Sequence, residues 1–133
     1  MPEHPNITLA HQGYDAFARS DLDGLLDLLA DNIVWHVGGD GPLSGARMGK
    51  DAVTELLVKV FELTGGSQRL KLLDLFANDD TVVALVHETA TRARDGATLD
   101  VREAHVHRID GDGKVVEFRD LPADPAPHDR FFS

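Results

Sequence analysis

The feature that most constrains this chain is a change of hydrophobic period near its middle. As far as Phe61 the apolar residues recur at steps of three and four; beyond Gly65-Gly66 they recur at every second position. The first pattern wraps a helix and the second faces a sheet, so the chain must place helices early and strands late. Ile7, Ala10, Tyr14 and Phe17 predict an amphipathic helix. Ser20 and Asp23 read as the capping pair of a second helix through "LDGLLDLLA", with Leu22, Leu25, Leu26 and Leu29 on one face. "NIVWHV" reads as a strand, and "GGDGPLSGARMG" (38–49) as a loop that fits neither period. A third helix starts near Asp51, buries Val53, Leu56, Leu57, Val60 and Phe61, and stops at Gly65-Gly66.

The second half reads as four strands: "QRLKLLDLF", "TVVALVHETA", "TLDVREAHVHRI" and "KVVEFRDL". In the first of these, Leu70 and Leu72 give way to Leu73 and Leu75, a parity switch that predicts a bulge. "NDD", "RDG" and "DGDG" are tight turns, which join antiparallel neighbours. Helices gathered in one half and strands in the other give an α+β fold, with the helices covering one face of the sheet. A bent sheet closed by helices on its concave side leaves a conical space, the natural place for a ligand. The tail from Pro122 has three prolines and no period; it reads as a surface strap, with Phe131 and Phe132 able to dock.

A length of 133 residues suits one domain over 1–133, with 122–133 as a C-terminal tail. The 42% apolar content is that of a globular chain. There is no cysteine, so disulfides, thiolate metal sites and Cys nucleophiles are excluded and a reducing compartment is acceptable. A net charge of −10 with scattered cations argues against nucleic acid and against anionic membranes. "MPEHPNITLAHQ" lacks a basic start followed by an apolar run, and no stretch is long enough to span a bilayer. These features lead to the expectation of a cytoplasmic protein, in which the acceptor match at Asn6-Ile7-Thr8 is idle.

Three stretches carry a family likeness: "YDAFARSDLDGLLDLLADNIVWH", "GPLSGARMGKDAV" and "HRIDGDGKVVEFRD". Together they resemble the nuclear-transport-factor-2-like superfamily, and within it the SnoaL-like polyketide-cyclase and ketosteroid-isomerase-related branch. The resemblance covers the chain except the tail. It implies helices packed on the concave face of a strongly curved, mostly antiparallel sheet, and a homodimer through the outer sheet face. Val106 and Ala104 would lie on that face beside Arg102 and Arg108. The fold hosts isomerases, cyclases, epoxide hydrolases and non-catalytic binders, so function has to come from the site. Steroid isomerases place a base Asp where this chain has Val37, beside His36, and an acid where it has His105; Tyr14 lies near their helix tyrosine. Steroid isomerisation is therefore not expected. Polyketide cyclases end the last strand with Arg-Asp, an apolar residue and Pro, the Asp being the general base; Arg119-Asp120-Leu121-Pro122 matches.

Strand alternation then selects the candidates. Val101, Glu103, His105, His107 and Ile109 share one face of the long strand, which the resemblance turns toward the cavity. Val116, Phe118 and Asp120 are expected to face it from the last strand. A carboxylate in an apolar pocket has a raised pKa and becomes a stronger base, so Asp120 is the candidate base. His105 and His36 are its candidate partners for stabilising an oxyanion or relaying protons. Tyr14, Trp35, Glu88, Glu103, His107 and Phe118 are candidate substrate-binding residues, while His4, His11 and His128 are expected to be solvated. The expected function is cofactor-independent acid/base chemistry (isomerisation, aldol-type cyclisation or water addition) on a small apolar carbonyl or epoxide compound. Two alternatives stay open: a non-catalytic ligand-binding or accessory dimeric module, and a metal-dependent enzyme using Glu103, His105 and His107.

Overall fold

The computed structural model describes residues 3–133; Met1 and Pro2, the first residues of the N-terminal stretch discussed above, lie outside the described residues. The elements are α1 (Pro5–Ala18), α2 (Leu22–Asp27), β1 (Leu29–Val37), β2 (Gly45–Met48), α3 (Lys50–Thr64), β3 (Arg69–Ala77), β4 (Thr81–Thr91), β5 (Thr98–Ile109), β6 (Val115–Pro122) and α4 (Pro125–Phe131). Among the described residues, six strands form one curved, unclosed sheet in the order β2-β1-β6-β5-β4-β3. Every pairing is antiparallel except that of β1 with β6, which is parallel. The α+β architecture with helices on the concave side is as expected.

Helix ends follow local chemistry. His4 caps α1, its Nδ1 accepting from the Asn6 backbone N–H at 3.1 Å, so this histidine has a structural task. Asn6, the idle acceptor residue, is buried and donates through its side-chain amide to the Asn78 and Asp79 carbonyls. The cap of α2 is Asp21, which accepts from the Gly24 N–H at 3.0 Å; Ser20 and Asp23 do not form the expected pair, because Ser20 takes a positive φ of 56° in the preceding turn. That helix ends at Asp27, and Leu29 starts β1 instead of extending the helix face. Gly65, in the left-handed region at φ 58°, closes α3 where the sequence indicates. Phe61 is 56% exposed and borders an open groove with Ala16, Phe17 and Gly66, so it is not the core residue expected.

The core lies between the concave sheet face and the helices. Ile33, Val53 and Val82 are almost fully buried and pack with Ala10, Leu29, Ile109 and Val115. Each such side chain contributes roughly 1.5–3 kcal/mol by leaving water. The expected bulge in β3 is present as a register shift between Leu72 and Asp74. A second shift, between Arg108 and Ile109, pairs Ile109 with Val115 and so turns Val115 inward in place of the expected Val116.

Two segments differ from the expected loop and strap. Residues 45–48 form β2, an edge strand pairing Val34 with Met48 through Val37 with Gly45. Four mostly exposed residues have no apolar alternation to show. The tail folds into α4, capped by Asp124 with Pro125 at its start, and buries His128, Phe131 and Phe132. Asp129 of this helix accepts from the Asp40 N–H at 3.0 Å. Gly39 (φ 84°) and Gly41 lie so close to Asp129 that a Cβ on either would meet its carboxylate. The glycine-rich loop is thus the seat of α4. Arg92 fixes the other side, donating to the Arg130 and Phe131 carbonyls.

Candidate active site

Between the helices and the sheet lies a cavity of about 120 Å³, or about 950 Å³ with its open mouth included. Its walls are apolar: Leu9 and Phe17 from α1, Leu25 and Leu28 from α2 and the stretch after it, Leu56, Leu57 and Val60 from α3. Trp35 on β1 stacks on Phe118 of β6 at 3.9 Å between ring centroids, because the parallel register sets them side by side. Polar groups gather on β4, β5, β6 and α4: Glu88, Glu103, His105, His107, Asp120 and His128 all line this one cavity, as does Tyr14 from α1.

His36 does not join them. Alternation on β1 sends Trp35 inward and His36 outward, where it faces Glu117 at 3.9 Å beside Arg119 on the convex face. The structure therefore corrects its placement as a cavity donor. His128 is the opposite case: expected in solvent, it is buried, because α4 folds back over the end of the cone. His11 is exposed as expected.

The polar groups form a linked set. Tyr14 Oη lies 2.6 Å from His105 Nδ1 and 3.1 Å from His107 Nε2. His105 Nε2 lies 2.8 Å from Glu103 Oε1 and 3.6 Å from Asp120 Oδ1. His128 Nε2 lies 3.6 Å from Glu88 Oε1 and 3.8 Å from Asp120 Oδ2. Gln68 donates to the other oxygen of Glu88. Donor counting constrains the chain, since a neutral imidazole has one N–H and both His105 nitrogens are engaged. With Glu103 ionised, His105 donates to it and accepts from Tyr14, which in turn accepts from His107. With Glu103 protonated, every bond in the chain can reverse.

Burial sets the protonation states. It pushes the Asp120 carboxyl up to about 8, with the nearby Glu103 charge adding to the effect and His105 opposing it. Burial and the Glu103 charge raise Glu88 to about 7. Glu103 is raised as well, chiefly by burial. The imidazoles move the other way: burial lowers His105 and His128, and lowers His107 to about 3 with help from His105. The Tyr14 hydroxyl is raised by burial and by the Glu103 and Asp120 charges. Near neutral pH the carboxyls therefore compete for protons, while the imidazoles stay neutral.

Among the described residues, metal-ligand spacing occurs in two overlapping sets, Glu88–Glu103–His128 and Glu103–His105–Asp120, within each of which the donor atoms lie within 4.8 Å of one another. The expected Glu103, His105 and His107 set is not one of them, because His107 Nε2 is turned to Tyr14. Sequence reasoning also misses His128 and Gln68, which join the carboxyl cluster from outside the long strands. No local pattern marks either; the Asp124-Pro125 start of α4 is the one signal that the tail is helical.

The geometry has close relatives. Two uncharacterized proteins, Rv0034 of Mycobacterium tuberculosis and Mb0035 of Mycobacterium bovis, are each 31% identical over 134 residues, covering 100% of both chains. Bal32a, from a soil-derived mobile gene cassette, superposes with a TM-score of 0.90 at 28% identity, covering 97% of each chain. TerC, co-crystallised with polyporic acid, does so at 0.83 and 25%, covering 98% of this chain and all of the other. Rv0760c of Mycobacterium tuberculosis, in complex with estradiol-17beta-hemisuccinate, shares the fold at 0.77 and 18% identity, covering 89% of this chain and 93% of that one. A family model described as a SnoaL-like domain matches residues 10–118. The chain belongs to the SnoaL-like branch of the nuclear-transport-factor-2-like superfamily.

Proposed function

We propose that this chain is a cofactor-independent acid/base enzyme acting on a small apolar carbonyl or epoxide compound held in the cone. The observation that carries the reading is the setting of Asp120: its side chain is 13% exposed, sits in an apolar cavity, and has an Oδ1 with no hydrogen-bond partner. Ionised, that oxygen can take a proton from a carbon beside a carbonyl. The enolate oxygen that forms needs a donor. Tyr14 and His105 are largely committed to each other. A protonated Glu88 or Glu103 is the better donor, since neighbouring carboxyls do not all ionise together. One proton shared among Glu88, Glu103 and Asp120 thus supplies both acid and base, with His105 and Tyr14 fixing the orientation of Glu103.

The enclosed volume suits one aromatic or alicyclic ring, with any larger portion reaching through the mouth. The residues act as one domain over 1–133, with 122–133 as its closing segment. A homodimer through the convex face is part of the proposal: Leu85, Ala104 and Leu121 form one cross-strand row there, and both leucines are more than two-fifths exposed. The test is deuterium exchange at carbons next to the carbonyl in a panel of cyclic ketones, followed by NMR in heavy water. Exchange by the unaltered protein that persists in chelator and disappears in Asp120→Asn supports the proposal. Exchange that Asp120→Asn retains would refute it.

A further inference from the structure

Among the described residues, three buried carboxyl oxygens in the cavity have no hydrogen-bond partner outside the carboxyl set itself: Glu88 Oε1, Glu103 Oε2 and Asp120 Oδ1. Glu88 is 2% exposed and Glu103 5%. Acceptors buried this deeply are costly to leave unpaired, and more so when charged. What could satisfy them is limited by the lining. Among the described residues, neither lysine nor arginine borders the cavity. His128 Nε2 stands 3.6 and 3.8 Å from Glu88 and Asp120, beyond bonding distance. Gln68 is occupied by the other Glu88 oxygen, and His105 by Glu103 Oε1. Glu103 shares hydrogen bonds with Glu88 and with Asp120 through protons the carboxyls themselves hold, and the floor of the cone has no further donor of its own, below walls of Leu9, Phe17, Leu57 and Trp35.

We infer that the ligand of this cone is an apolar amine, whose ammonium group sits on the floor between Glu88, Glu103 and His128 while its hydrocarbon part fills the walls. The geometry fits. Donor atoms of Glu88, Glu103 and His128 lie within 4.8 Å of one another. Three such points share a centre no more than about 2.8 Å from each, the length of a charge-assisted N–H···O bond. An ammonium carries three or fewer N–H donors, which matches two carboxyls and one neutral imidazole acceptor. Carboxylate and phosphate ligands are disfavoured by the same floor, where they would add negative charge beside three buried carboxyl groups. The inference rests on the reading above and names the polar end of the substrate: the reacting carbon would then lie beside Asp120, which borders the same floor, and an ammonium N–H would take the place of a protonated Glu88 or Glu103 as donor to the enolate oxygen.

Calorimetric titration of the full chain with 2-phenylethylammonium, 2-phenylethanol and 3-phenylpropanoate tests this. The ammonium is expected to bind at least tenfold more tightly than the alcohol, and the carboxylate most weakly. Glu88→Gln with Glu103→Gln should reduce the ammonium to the level of the alcohol, while Asp100→Asn on the outer face should not. Because the double variant can fail to fold, carbon-13 shifts of the side-chain carboxyls in the unaltered protein give a second readout. The ammonium is expected to move those of Glu88 and Glu103; an ammonium that moves neither overturns the inference. So does an alcohol or carboxylate that binds equally well. Zinc(II) alone, if it saturates the same carboxyl shifts at equimolar concentration, assigns the floor to a metal and also overturns it. Amine binding beside an Asp120→Asn variant that still exchanges deuterium sinks the catalytic reading alone; the opposite pair of results sinks only this one.

Discussion

The two faces of the sheet carry the same chemistry in different surroundings. On the concave face His105 meets Glu103 at 2.8 Å with both side chains nearly inaccessible, at 4% and 2%. On the convex face His87 meets Asp100 at 2.5 Å with side chains 28% and 76% exposed. Water screens the outer pair and lets either partner stand alone. The inner pair has no such relief, so each group there depends on its neighbours. Reactivity follows from the environment and not from the residue types, since both faces hold a histidine and an acid.

That contrast can be broken by mutation. The largest expected effect is on turnover: Asp120→Asn should lower it by about 10²–10⁴-fold, the usual contribution of a positioned acid or base. Asp100→Asn on the outer face should change it less than about twofold; equal losses in a steady-state assay would erase the distinction. Next comes stability. His105→Ala leaves Glu103 Oε1 without its partner and the Tyr14 hydroxyl with only His107, and should cost about 1–3 kcal/mol in denaturant unfolding. His87→Ala should cost at most about 1 kcal/mol. Phe132→Ala, which removes a buried wall of the cavity, should cost about 3 kcal/mol and loosen ligand binding with it.

The pH dependence sharpens the same comparison by a smaller amount. Asp120 is raised in the folded state to about 8, so the fold prefers it protonated. Its contribution is fully present below the ordinary carboxyl pKa and is lost as pH rises toward 8. Asp120→Asn should therefore flatten the fall in stability between about pH 4 and pH 8. His107 acts in the opposite sense: lowered to about 3, it takes stability away as pH falls from 6.5 toward 3. A melting-temperature series across pH should show both limbs, and Asp100→Asn should leave both in place.

Much of the fold and part of the site are legible in the amino-acid sequence. Alternation alone puts Glu103, His105 and His107 on one face of β5, because a strand of twelve residues gives the period time to declare itself. The last-strand motif points to Asp120. Alternation cannot choose between Trp35 and His36 as the inward residue of β1; the β1–β6 register decides it. The inward turn of Val115 is hidden, since the register shift that causes it depends on two strands at once. His128 is hidden for a similar reason: a seven-residue helix with two prolines near its start shows no period, and its burial is decided by where Asp129 lands on Gly39 and Gly41.

Strand β1 reaches its parallel partner β6 only after nearly the whole intervening chain has been laid down between them. Closing so long a loop costs entropy before any contact rewards it, and folds built on such pairings form slowly. The β4–β5 hairpin, by contrast, joins neighbours and can form early, carrying Glu88 and Glu103. During refolding those two acids are expected to meet first as ordinary solvated groups and to acquire their protons late. Stopped-flow mixing with a pH indicator should record that uptake in the slowest phase, after backbone signals have largely settled.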